Sequence, residues 1–305
     1  MMDAATLETV LAAILRSATP LILLGVGIIV SERAGILNLG QEGMLTSGAA
    51  VAFVTMLSTA SPTLSITAAA LAGMTMAGIF AVPVLALKTN QVATGLALTL
   101  FGLGLAALLG NDHAGASIEA MAALPVPGLH HIPIAGVLFD QDLLVYVGWL
   151  MAGLVAWFLR THPGTVIIAC GHAPAVLHTM GHPVLRIQAL ATLFGGAMAG
   201  LAGAYLALSF TPLWSESIGN GRGWIALALV VFASHQVGRL VLGAAIFGST
   251  SVLQLVFQAA EVNVSTHLLA ASPYLVTIIA LVVLSRLSTS SPRLQAPRTL
   301  GQTMS

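Results

Sequence analysis

Nine apolar runs of roughly membrane length follow one another along the chain, near residues 9–30, 35–57, 64–87, 91–110, 143–160, 187–209, 223–236, 240–260 and 268–286. An α-helix rises about 1.5 Å per residue, so about 20 apolar residues cross the hydrocarbon layer of a bilayer. Only 7% of the residues are charged and the mean hydropathy is +0.98, whereas about a quarter of the residues in soluble domains are charged. The fold class is therefore an all-α polytopic membrane protein of eight to ten transmembrane helices. Residues 1–287 read as a single transmembrane domain, and the Ser-, Pro- and Thr-rich stretch 288–305 as a disordered cytoplasmic tail.

What is scarce excludes several functions. The formal charge is zero with no basic run, which argues against nucleic-acid binding. Lys88 is the only lysine and no G-x-x-x-x-G-K-[ST] surrounds it, so ATP-driven work would fall to a partner. Cys170 is alone, and an internal disulfide is excluded. Met1 to Glu8 is acidic and leads without a small-residue cleavage site into the first apolar run, which reads as an uncleaved helix. Arg33, Lys88, Arg160, Arg186, Arg239, Arg286, Arg293 and Arg298 fall at alternate connections. The loop 110–142 holds Asp112, Glu119, Asp140 and Asp142 without Lys or Arg. The positive-inside rule then places the N-terminus outside and the C-terminus in the cytoplasm.

The run Ser31-Glu32-Arg33-Ala34-Gly35-Ile36-Leu37-Asn38-Leu39-Gly40-Gln41-Glu42-Gly43 puts charges, amides and glycines between two membrane-length segments. In lipid, irregular backbone survives only where it lines a cavity or packs on other helices, so this is a broken helix and the chain reads as a transporter. Shifting the sequence by 180 residues lays Gly40 to Met44 on Asn220-Gly221-Arg222-Gly223-Trp224. Each opens a helix, the first expected at the cytoplasmic face and the second at the external face, as an inverted repeat requires.

Glu42 and Arg222 are costly in a lipid-facing position. Each either caps a helix or pairs locally, lines the translocation path, or contacts ligand. Asn38 and Gln41 can offer amide hydrogen bonds to an uncharged polar ligand such as a nucleoside or sugar, or can satisfy the broken helix's own backbone. Asn90, Gln91 and Thr94 open the helix at 91, either at the interface or on the path. Trp214 and Trp224 flank Asn220 and Arg222, as a surface for stacking a planar base or as interface-belt residues. His172, His178 and His182 lie close together without H-E-x-x-H or an accompanying carboxylate, and no metal is expected. Gly171 to Gly181, with Pro174 at its first turn and Gly181 at its stop, reads as a two-turn cytoplasmic helix suited to docking a partner. Small residues from Gly195 to Ala204 allow close helix or subunit packing.

Several of these segments together resemble a known family. Ala18-Thr19-Pro20-Leu21, Ser31 to Met44, Asn90 to Leu98, Gly196 to Tyr205 and Gly221 to Ala228 are similar to the permease subunits of bacterial ATP-binding-cassette importers for nucleosides and simple sugars, akin to branched-chain amino acid and ribose permeases. The resemblance runs from about residue 7 to residue 286. It implies a plasma-membrane pathway working by alternating access, without a cofactor of its own, in which ATP is bound by a cytoplasmic ATPase. It also implies a second, longer permease paralogue and an external substrate-binding protein as partners. In that likeness Gly171, Pro174, Val176, Leu177, Met180 and Gly181 match the helix that docks on the ATPase. Histidines replace the family's acidic and basic residues there, and Thr99 stands where the family often has Asn. An ion-coupled secondary transporter is the rival reading; it requires a buried carboxylate or His relay, for which Glu42 is the candidate. Same-family transport of branched-chain amino acids or ribose is the nearer alternative.

Overall fold

The computed structural model describes residues 4–129, 132, 135–259, 271–273, 275, 276, 278, 279, 282, 283, 297 and 299–301. Ten α-helices run through the described residues: α1 (Ala4–Arg33), α2 (Gln41–Thr59), α3 (Pro62–Ala81), α4 (Gln91–Gly110), α5 (Leu143–Phe158), α6 (His162–His172), α7 (Pro174–Thr179), α8 (Val184–Tyr205), α9 (Arg222–Phe232) and α10 (Val237–Ala259). Wider π-helical turns extend α3 to Ala86 and α8 to Phe210. The molecule is an all-α polytopic membrane protein. Five helices among the described residues are long and apolar enough to cross a bilayer, six if α5 and α6, bent by 79° at their junction, count as one span. The expected eight to ten includes α2, whose polar first turn is buried in the bundle, and α9, which has 11 residues. It also includes the run 268–286, most of which lies outside the described residues.

α1 packs on α5, α8, α9 and α10, while α8 also lies against α2 and α3. Pro20 sits inside α1, where its missing N–H frees the carbonyl of residue 16. The buried Tyr205 hydroxyl of α8 donates to that Arg16 carbonyl at 3.0 Å, so the defect is satisfied within the protein, as lipid demands. The α3–α8 contact depends on absent side chains: a Cβ at Gly73 would run into the Gly196 carbonyl and lie 2.8 Å from the Gly200 nitrogen. The small-residue stripe read from sequence is therefore a helix-packing seam.

The loop 111–142 is a cap without long helices in its described part. A short ladder pairs Leu124 with Gln141 and Pro125 with Asp140, and Ile118 and Met121 donate their amides to the Pro212 and Leu208 carbonyls. Asp142 starts α5 by accepting from the Leu144 and Val145 amides at 2.9 and 3.2 Å. Burial pushes its carboxyl upward against the pull of those amides and of Arg16.

Candidate translocation site

α1 ends in a Schellman turn: the Gly35 amide donates to the Glu32 carbonyl at 2.8 Å and the Ile36 amide to the Ser31 carbonyl at 3.0 Å, with Gly35 at φ +88°. The chain then runs unwound to Gly40 before α2 begins, so the helix expected from residue 35 starts at Gln41. Polar side chains stitch this break to its surroundings. Asn38 Oδ1 accepts from the Gly40 amide at 2.8 Å, Gln91 Oε1 from the Leu37 amide at 2.7 Å, and Thr99 donates to the Leu39 carbonyl at 2.9 Å. Asn38, Gln91 and Thr99 thus serve the break's own backbone. Asn90 caps α4 by accepting from the Val92 and Ala93 amides, and Thr94 bonds the Asn90 carbonyl and Thr89. Gln41 is buried and its Oε1 finds no partner among the described residues.

Gly43 packs against Thr99 and Gly102, half-way along α4, so α2 begins half-way through the bundle. At the same depth α9 begins. The chain leaving α8 passes the cap at Trp214, turns back through residues 215–221 and opens α9 against the first turn of α2. A Cβ on Gly223 would lie 2.7 Å from the Glu42 Cα. The Gly40/Asn220 correspondence therefore places both breaks at one depth rather than at opposite faces, because 215–221 folds inward.

Glu42, buried to 5% exposure, joins the two breaks: one carboxylate oxygen accepts from the Gly221 amide at 2.9 Å and the other from the Gly223 amide at 2.6 Å. Asn220 and Gly221 are both left-handed, with φ +46° and +75°. The turn presents the Gly221 and Gly223 amides to the carboxylate, while the Arg222 amide between them donates to the Gly219 carbonyl at 3.0 Å. The carboxylate also sits at the positive end of the α9 dipole and in the first turn of α2. Of the roles open to Glu42, capping is what the geometry displays.

The Arg222 guanidinium lies 5.0 Å from the Phe210 ring centroid, with one nitrogen 3.4 and 3.5 Å from the Ile218 and Gly219 carbonyls. Phe210, to which the sequence gives no role, is the aromatic partner. Trp214 is buried against Gly110 and 5.8 Å from the Phe53 ring, so no face of it is open for stacking. Trp224 is 39% exposed and begins a stripe continued by Ala228 and Val231 on the uncovered side of α9.

The far end of α9 is held by residues the sequence reading left unpaired. Arg33 donates to the His235 carbonyl at 3.2 Å and the Ser234 carbonyl at 3.4 Å, and Glu32 Oε2 lies 2.6 Å from His235 Nε2. The partners are about 200 positions apart, so only folding brings them together. The segment Ser31 to Gly43 thus holds an 11-residue helix, about 16 Å long, with an anion at its N-terminus and a cation at its C-terminus.

The expected docking helix is two pieces. α6 ends at His172, and α7 starts with Pro174 and stops at Gly181, whose φ is +85° in a second Schellman turn. Val176 and Met180 are 58% and 70% exposed and Leu177 is buried. Gly171 belongs to α6, not to α7. It packs on the Arg33 carbonyl and Gly35 amide, and its own carbonyl accepts from Thr299 at 2.8 Å. No group of three or more His, Cys, Asp or Glu able to hold a metal ion occurs among the described residues.

Comparison with known proteins places this architecture. Residues 10–285 match the family described as branched-chain amino acid transport system, permease component. A putative glucose ABC transporter permease protein of Haloferax volcanii is 37% identical over 95% of both chains. The guanosine ABC transporter permease protein of Bacillus subtilis is 31% identical over 90% of this chain and 91% of its own. The nucleoside ABC transporter permease protein of Lactococcus lactis is 30% identical over 91% and 92%. No solved structure matches.

Proposed function

Because the chain belongs to the branched-chain amino acid transport system permease component family, we propose that it forms the translocation path of an ABC importer for an uncharged nucleoside or related simple sugar. It is a multi-pass membrane permease subunit and not itself an enzyme. The observation that carries the substrate class is the engagement of both Glu42 oxygens by the Gly221 and Gly223 amides. In broken-helix transporters the N-terminus of a half-helix is where an anionic substrate group is received. Here the protein's own carboxylate fills that position. An amino-acid carboxylate would compete with Glu42, whereas a neutral, hydroxyl-rich ligand would not. The relatives named for guanosine, nucleoside and glucose transport agree with this reading.

The path follows the Glu42–Gly223 junction, with Gln41, Asn220, Arg222 over Phe210, and Trp224 bordering it. Asn38, Gln91 and Thr99 hold the break, and Asn90 and Thr94 hold the start of α4. A cytoplasmic ATPase docks on α7 through exposed Val176 and Met180, an external binding protein delivers substrate, and a second, longer permease subunit completes the path. α7 lies in the cytoplasm, the N-terminus lies outside, the tail 288–305 lies inside, and no cofactor is carried.

The test is uptake of labelled guanosine, glucose and leucine by cells expressing the chain with its neighbouring transporter genes, with active or inactivated ATPase. The reading predicts ATPase-dependent uptake of guanosine or glucose that excess leucine leaves unaffected. Uptake of leucine alone would overturn the substrate class, and uptake indifferent to ATPase inactivation but driven by an ion gradient would overturn the importer subunit.

A further inference from the structure

The structure offers a contiguous mechanical path from α6 and α7 to the centre of the bundle. Gly171, three residues before Pro174, lies directly on the backbone of Arg33 and Gly35; a Cβ there would collide with the Arg33 carbonyl and approach the Gly35 nitrogen to 2.9 Å. Arg33 and Glu32 in turn hold Ser234 and His235, the C-terminal stop of α9. The other end of α9 rests on Glu42.

The hold is strong in charge but incomplete in hydrogen bonds. Glu32, Arg33 and His235 are 1%, 6% and 3% exposed. A carboxyl group, a guanidinium and an imidazole are thus packed together out of water, where each depends on its partners for the hydrogen bonds that solvent would supply. Yet Glu32 Oε1, Arg33 Nε, His235 Nδ1 and the neighbouring Gln188 Oε1 have no partner among the described residues. Gln188 reaches the same turn by donating to the Ala34 carbonyl at 3.2 Å. Ser234 and His235 are both left-handed at φ +53° and +56°. That conformation is unfavourable for a non-glycine residue and persists where surroundings over-determine it. The cluster thus holds two residues in an unfavourable conformation, while four polar atoms in and beside it are without a partner among the described residues.

We infer that Glu32, Arg33 and His235 are a releasable latch on α9, through which displacement of α6 and α7 is passed to the Glu42 junction. They are positioning residues, touching neither substrate nor nucleotide. When α7 moves, Gly171 carries the Arg33–Gly35 backbone with it, the grip on Ser234 and His235 loosens, and α9 shifts along its axis against Glu42. The inference rests on α7 docking the ATPase, so its test measures docking separately.

The experiment uses the full transporter, permeases with ATPase and binding protein, in proteoliposomes. Docking is read by crosslinking Met180→Cys to the ATPase in a Cys170→Ser chain. Coupling is read as substrate taken up per ATP hydrolysed. The latch predicts that Glu32→Gln and, independently, Gly171→Ala keep the α7 crosslink and ATP hydrolysis but lower uptake per ATP by about tenfold, within the span of typical coupling free energies. It predicts that exchanging the partners, Glu32→His with His235→Glu, restores uptake per ATP over Glu32→Gln, which a general packing defect would not allow. An intact crosslink with wild-type uptake per ATP in Glu32→Gln and Gly171→Ala would overturn the latch and leave docking standing. Loss of coupling without recovery on exchange would also overturn it. Absence of the crosslink in the otherwise unaltered chain would remove α7 docking, and the latch with it.

Discussion

Glu42 holds the centre of the site, and its worth lies in having two oxygens and a charge. The Gly221 and Gly223 amides each take one oxygen, and hydrogen bonds to a charged acceptor contribute about 1.5 to 3 kcal/mol. In Glu42→Gln one acceptor becomes an NH2 facing an amide donor, and the attraction to the helix dipole is lost. We expect a loss of about 2 kcal/mol, of the order of one charged hydrogen bond, seen as a lower melting temperature in detergent. An unchanged melting temperature would mean that the carboxylate does not cap α9. The sequence marked Glu42 as a residue needing a partner and left capping, path and ligand contact open; it could not say that the partner was backbone 179 positions away. Glu32 and His235 were harder still, since Glu32 stood out only as one charge of the broken run, His235 lies in no motif, and their pairing exists only after α9 folds back on α1. Trp214 misled because composition shows an aromatic near amides but not that Gly110 offers it a bed.

At the scale of elements, long apolar runs gave α1, α3, α4, α5, α8 and α10 to within a few residues, because hydrophobic length is what lipid selects. Boundaries were lost where tertiary contacts override the run. α2 starts six residues later than its apolar stretch, since Gln91 and Thr99 hold 37–39 unwound. α6 was missed although Pro163 at its first turn is a helix-start signal, because His162, Gly164 and His172 dilute its apolar face. The glycines of α8 were legible as a packing stripe, but their partner on α3 was not. That seam yields a prediction: Gly73→Val drives two methyl groups into the Gly196 and Gly200 backbone and should cost about 1 to 3 kcal/mol, as overpacking does. Gly104→Val on α4, with nothing near its Cβ, is the control. Equal melting temperatures for the two variants would refute the tight α3–α8 seam.

For the whole molecule, the 19-residue α2 and the 11-residue α9 meet N-terminus to N-terminus within the bundle. α2 runs one way alongside α4, α9 runs the other way to Arg33, and Glu42 lies at the junction. The stripe Trp224, Ala228 and Val231 on α9 is exposed among the described residues, and in our account it borders the path. Cys170 is the chain's only cysteine, so a Cys170→Ser background reports on a single introduced thiol. The most direct test is labelling of Ala228→Cys in the assembled transporter with a membrane-impermeant maleimide, with and without guanosine or glucose. The account predicts labelling from the aqueous phase that one of these substrates slows and leucine does not. Labelling only by lipid-soluble reagents, indifferent to every substrate, would place α9 against lipid and contradict it.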